Sequence, residues 1–126
     1  MRIRTFVEED IDALIHMRHK LWPESPDEEH RNELAQMLLL RDRFEIFVAE
    51  TESANCIGFL EASVRQDQET IELEKIGYIE GWFVEADYRK KGVGAELVKA
   101  AEHWARNKGM TRMGSDAEIT NEISIT

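Results

Sequence analysis

The chain has 126 residues, 42% of them hydrophobic and 33% charged, with 16 basic against 26 acidic side chains and a net charge of −10. That length and balance predict one globular domain spanning residues 1–126 with a single core, and the acidity opposes nucleic acid while attracting a cationic partner, although it equally serves solubility. No apolar run reaches the ~20 residues of a membrane span and no secretory signal is read at the start, so a cytoplasmic protein without a membrane partner is expected.

In chain order, residues 1–7 read as a strand with Ile3, Thr5 and Val7 on one face and Arg2, Arg4 and Phe6 on the other. Residues 9–21 read as a helix, with Ile11, Leu14, Ile15, Arg18 and Leu21 at helical spacing, stopped at Trp22 by Pro23. Ser25, Pro26 and Glu28 fit the N-cap, N1 and N3 positions of a second helix reaching about residue 40, with Leu34, Met37, Leu38 and Leu40 facing inward. Strands are predicted over 44–50 and 56–65, joined by a polar turn, and 66–75 is a polar loop or frayed hairpin. Cys56, the single cysteine, excludes an internal disulfide framework or multi-cysteine zinc site and reads as a small buried hydrophobe. The four histidines show no metal-ligand spacing, so no metal is assigned.

Residues 77–108 carry the strongest signal. Tyr78, Ile79, Trp82, Phe83 and Val84 have the composition of a strand covered on both faces. Arg89-Lys90-Lys91-Gly92-Val93-Gly94 then leads into a helix with Val93, Leu97, Val98, Ala101 and Trp104 on its apolar side, stopped by Asn107, Lys108 and Gly109. A fifth strand is read over 111–115. A glycine loop at a helix N-terminus leaves backbone N–H groups aimed outward, where the helix dipole also favours negative charge. Gly92 and Gly94 let a phosphate approach the backbone, and three basic side chains stand beside it, so a pyrophosphate cradle is predicted. Neither G-x-G-x-x-G nor a P-loop occurs, and a solvated basic turn with helix-capping glycines is the alternative reading.

This segment resembles the acetyl-CoA-binding core of the GNAT superfamily of N-acetyltransferases, whose signature is [RQ]-x-x-G-x-[GA] between the fourth strand and third helix. The resemblance implies an α/β (α+β) fold: a mixed, mostly antiparallel sheet flanked by helices. It implies that Trp82, Phe83 and Val84 pair with the pantetheine arm, and that Arg89, Lys90, Lys91, Gly92, Val93 and Gly94 hold the CoA pyrophosphate. Gly81 would suit the bulge that splays the strand from its neighbour. The family's fourth helix and closing strands are missing from the reading, because residues 121–126 look like the beginning of that helix. The family's tyrosine acid belongs to that region, and neither Tyr78 nor Tyr88 maps to it.

Within the superfamily the chain is most similar to aminoglycoside 6′-N-acetyltransferases, through His19-Lys20-Leu21-Trp22-Pro23, Ile57-Gly58-Phe59, Ala62-Ser63, Glu80-Gly81, Gly114-Ser115-Asp116 and Asn121. The resemblance makes Trp22 an apolar wall over a sugar ring, Glu80 and Asp116 the acceptors of substrate ammonium groups and of the catalytic proton, and Asn121 a contact to the CoA arm. Trp22 could equally be core, Asp116 a turn residue and Asn121 an N-cap. Glu80 shares strand parity with Tyr78 and Trp82, and an acid inside so apolar a strand points to a paired or functional role. Residues 66–75 contain no aromatic to stack on an aminoglycoside, which keeps another small amine or polyamine open as acceptor. A non-catalytic CoA-binding module is the reading from a different class. A homodimer is expected, since acetyltransferases of this kind commonly pair.

Overall fold

The computed structural model describes residues 1–66, 75–110 and 112–115. Five strands, β1 (Arg2–Thr5), β2 (Phe44–Glu50), β3 (Cys56–Gln66), β4 (Lys75–Val84) and β5 (Met113–Ser115), lie in the order β1-β2-β3-β4-β5. Neighbours pair antiparallel except β4 and β5, which run parallel. Helices α1 (Ile11–Leu21) and α2 (Asp27–Leu39) separate β1 from β2, and α3 (Val93–Asn107) forms the crossover from β4 to β5. The α/β, mostly antiparallel architecture expected from the sequence is the one observed.

Period-two alternation in β2 and β3 splits the apolar residues into two cores, one on each face of the sheet. Ile46, Val48 and Phe59 join Phe6, Leu14, Met17 and Leu34 under α1 and α2. Phe47, Ala49, Leu60 and Ala62 join Val93, Leu97 and Ala101 under α3. The single expected core is thus two thin ones, each closed by its own helices.

Several local readings shift. β1 stops at Thr5, where Phe6 N–H bonds the Ile46 carbonyl at 2.9 Å. That turn buries Phe6 completely under α1 and α2 and leaves Val7, read as part of the strand, 43% exposed. The N-cap of α2 is Pro26 rather than Ser25, with no side-chain cap; the Pro26 carbonyl accepts from Glu29 and His30. Its inward face begins at His30, which the apolar pattern did not include. Ala105 completes the buried stripe of α3, and half-buried Trp104 packs against the same core as read. The stop after α3 is as read: Gly109 takes φ +85° and Met110 N–H returns to the Ala105 carbonyl. The predicted helix start over 121–126 lies outside the described residues.

Candidate functional site

β4 organises the site because its pairing with β3 is irregular. Toward β3, Glu61 pairs with Gly81 and Ala62 with Ile79, so Glu80 is an extra residue in the ladder. The bulge leaves Glu80 on the face of Tyr78, as expected, and breaks its expected parity with Trp82. Ile79 and Trp82 pack in the α3-side core, whereas Phe83 packs in the α1/α2 core. Glu80 and Gly81 therefore both face α1 and α2, beside Ser63 and Glu61 of β3. Toward β5, the described ladder runs from Gly77–Met113 to Ile79–Ser115 and ends there, before the segment 80–84.

Glu80 is held by β3. Ser63 Oγ donates to its Oε2 at 2.5 Å, and Arg65 grips both oxygens, Nε to Oε2 at 2.9 Å and Nη2 to Oε1 at 2.7 Å. The Arg65 guanidinium also lies 3.7 Å from the centre of the Tyr78 ring. Glu80 nonetheless keeps 26% of its side chain exposed, at the mouth of a cavity of about 360 Å³.

Trp22, at the end of α1, walls that cavity. It is half-buried against the α1/α2 core, as its core reading expects, and its remaining surface faces the cavity. The six-membered ring of its indole packs on strand β4 at Gly81, where an added Cβ would overlap Cη2 and Cζ2. Glycine is required there for this close approach, as well as suiting the bulge. Arg18, one turn before Trp22, stacks on the indole at 5.0 Å.

Beneath Trp22 lies a charged cluster that the sequence reading did not assemble. Arg18, 3% exposed, pairs with fully buried Glu61 (Nε to Oε2, 2.7 Å) and with Glu33 of α2 (Nη1 to Oε1, 3.1 Å). Burial pushes the Glu61 carboxyl up from its ordinary value, against the pull of Arg18. His30 Nδ1 lies 3.3 Å from Arg18 Nη1 and its Nε2 3.3 Å from the Trp22 carbonyl. The fit is to the tautomer that accepts at Nδ1 and donates from Nε2. The legible signal was a glutamate and a serine alternating with Phe59 inside the apolar run of β3; their partners are 43 and 17 residues distant.

At the far end of β4, a short turn (Ala86–Tyr88) leads into the basic loop. Arg89 turns back: its Nε donates to the Val84 carbonyl at 2.8 Å and its guanidinium lies 5.6 Å from the Phe83 ring. Lys90 and Lys91 are exposed, and Lys90 and Gly92 both adopt left-handed φ, +64° and +83°. Gly92 caps α3 without any side-chain bond, and the first helical bond runs from Glu96 N–H to the Gly92 carbonyl. The N–H groups of Val93, Gly94 and Ala95 precede that bond, and space is open around Gly92. A pyrophosphate fits this end by backbone amides, helix dipole and two lysines. The Asp116 and Asn121 expectations lie outside the described residues. Among the described residues, no cluster of His, Cys, Asp and Glu is arranged to hold a metal ion.

An irregular strand with a carboxylate-bearing cleft at one end and a helix N-terminus open to an anion at the other defines the class of proteins that hold an anionic ligand beside a polar cleft. Comparison with known proteins narrows this class. The Acetyltransferase (GNAT) family profile matches residues 11–126. The aminoglycoside N(6′)-acetyltransferase type 1 of Klebsiella aerogenes is 37% identical over 117 residues, covering 91% of this chain and 77% of that protein. The protein of the same name from Salmonella typhimurium is 33% identical over 125 residues, covering 98% and 85%. The solved structure of AAC(6′)-Iy with the bisubstrate analogue CoA-S-monomethyl-acetylneamine superposes with a TM-score of 0.84 at 31% identity, covering 98% of this chain and 83% of that one. The chain belongs to the GNAT acetyltransferase family.

Proposed function

We propose that this chain transfers an acetyl group from acetyl-CoA to the 6′-amine of an aminoglycoside, as a cytoplasmic homodimer with one catalytic domain per chain. The observation that carries the reading is the placement of cleft and cradle along one strand. Glu80 and Val84 are four residues apart, about 13 Å of extended chain. That span suits a donor whose pyrophosphate rests on the Gly92 end and whose thioester reaches the Trp22–Glu80 end. The relatives support the acceptor class, since all three named above are aminoglycoside acetyltransferases. The net charge of −10 suits a cationic acceptor.

Segment 80–84 would offer its backbone to the pantetheine arm, with an N–H near Phe83 or Val84 stabilising the tetrahedral oxyanion. Trp22 would carry a sugar ring on its exposed face. An ammonium has no lone pair to attack a thioester, so a carboxylate must draw off its proton; Glu80 and Asp116 are the candidates. Arg89 closes the strand end, which leaves the loop amides, Lys90 and Lys91 to hold the pyrophosphate.

The test is CoA release with acetyl-CoA and aminoglycosides with and without a 6′-amine. Activity that requires that amine and falls at least tenfold in Glu80→Gln supports the proposal. Equal turnover of other small amines or polyamines moves the acceptor class. Acetyl-CoA binding without any turnover identifies a non-catalytic module. A monomeric mass in solution overturns the homodimer.

A further inference from the structure

Each carboxylate lining the cleft is already matched by an arginine: Glu33 and Glu61 by Arg18, Glu80 by Arg65. The two arginines differ in what leaving would cost. Arg18 has 4% of its side chain exposed and cannot withdraw without stranding the fully buried Glu61. Arg65 has 44% of its side chain exposed and reaches Glu80 from the rim, so its departure strands no buried charge and costs less than that of Arg18. Glu80 offers about four lone-pair positions. Three are filled, two by Arg65 and one by Ser63. An arriving ammonium thus finds one acceptor position, on Oε1, and a charge already neutralised.

We propose that Arg65 is a specificity-determining residue: it occupies Glu80 as a resident cation that an acceptor amine must displace. This rests on the reading of the cleft as the acceptor site. Ser63 keeps Glu80 in place when Arg65 leaves, so the carboxylate is not lost with its partner. A lone ammonium, a point charge, competes poorly with a two-toothed guanidinium already stacked on Tyr78. A polycationic acceptor brings further contacts that offset the displacement. Arg65 therefore sets a threshold that monoamines fail and multiply charged acceptors pass.

The experiment measures acceptor binding to the CoA-loaded protein by calorimetry, beside CoA release, for wild type, Arg65→Gln, Arg65→Lys, Glu80→Gln and the Arg65→Gln/Glu80→Gln double variant. The probes are an aminoglycoside with a 6′-amine and a simple alkyl monoamine. Arg65→Gln is expected to tighten aminoglycoside binding about fivefold, the ceiling for a pair this exposed, with at least as large a gain for the monoamine. Arg65→Lys, which keeps charge but loses the fork, falls between. The gain should vanish in the Glu80→Gln background. Unchanged or weakened binding in Arg65→Gln, or a gain that persists without Glu80, overturns the proposal. Failure of wild type to release CoA with any acceptor overturns the acetyl-transfer reading alone, because the binding arm still reports on Arg65. Absence of binding by every variant overturns both.

Discussion

Arg18 and Glu61 form a buried pair whose members are safe only together. Removing the cation by Arg18→Met leaves a carboxylate in the core with no counter-charge, a loss of about 3–5 kcal/mol expected in urea unfolding. The double change Arg18→Met/Glu61→Leu should recover most of it, since two apolar side chains have nothing to desolvate. Gly81 is constrained differently, by the indole lying on it. Gly81→Ala pushes Trp22 off the strand and should cost about 1–3 kcal/mol in thermal melts. That loss should shrink when Trp22→Ala is added, because the overlap is then removed. Legibility at this scale was uneven. Gly81 was visible as a bulge residue, but its contact with Trp22 joins positions 59 apart in the sequence. Arg18 was placed on the inward side of its helix without any sign of what it meets. Glu80 was singled out on the right strand as a paired acid; its parity with Tyr78 holds and its parity with Trp82 fails, because parity counting assumes an unbroken ladder and the extra residue lies at Glu80 itself.

Among the elements, α3 with its preceding loop was the most legible, since periodicity, glycines and stop signals all agree there. The bounds of α2 were less so: a proline can serve as N-cap or N1, and no side-chain bond decides between them here. The start of α3 yields a prediction that separates backbone from ligand. Gly92 sits at φ +83° with open space around it, so Gly92→Ala adds no clash and its stability cost is the left-handed strain alone, about 1–2 kcal/mol. Gly92→Asn should cost less, as asparagine tolerates this region. Acetyl-CoA affinity, read by calorimetry, should fall in both variants if phosphate approaches the backbone there, beyond what the stability loss explains.

For the molecule as a whole, two sets of carboxylates pull the pH profile in opposite senses. Arg4 is clamped between Asp10 (Nη1 to Oδ2, 2.8 Å) and Glu50 (Nε to Oε2, 3.0 Å), tying the entry of α1 to the sheet edge. Its guanidinium holds the Asp10 carboxyl below the ordinary value. A depressed native value means stability that is complete above the ordinary carboxylate value, about 3.9, and lost as pH falls through the native one. Glu61, raised by burial, works the other way: it favours the fold most below its unfolded value and gives up stability as pH rises through the native one. Denaturant unfolding from about pH 7 to about pH 3 should show an acid limb that is shallower in Asp10→Asn, with lower stability at neutral pH. A limb of unchanged slope would mean that Asp10 takes no part in it.

The extra residue in β4 is a phase shift in the chain. Before it, one set of positions belongs to the α1/α2 layer; after it, the other set does. A sheet with a core on each face cannot tolerate a change of phase by one, because Phe83 and Val84 would trade layers and a large ring would arrive where a valine had packed. Strand β4 should therefore accept substitution at Ile79 or Trp82 far more readily than the loss or gain of a single residue between them. Over long divergence, this stretch would be expected to hold its count even where its letters change.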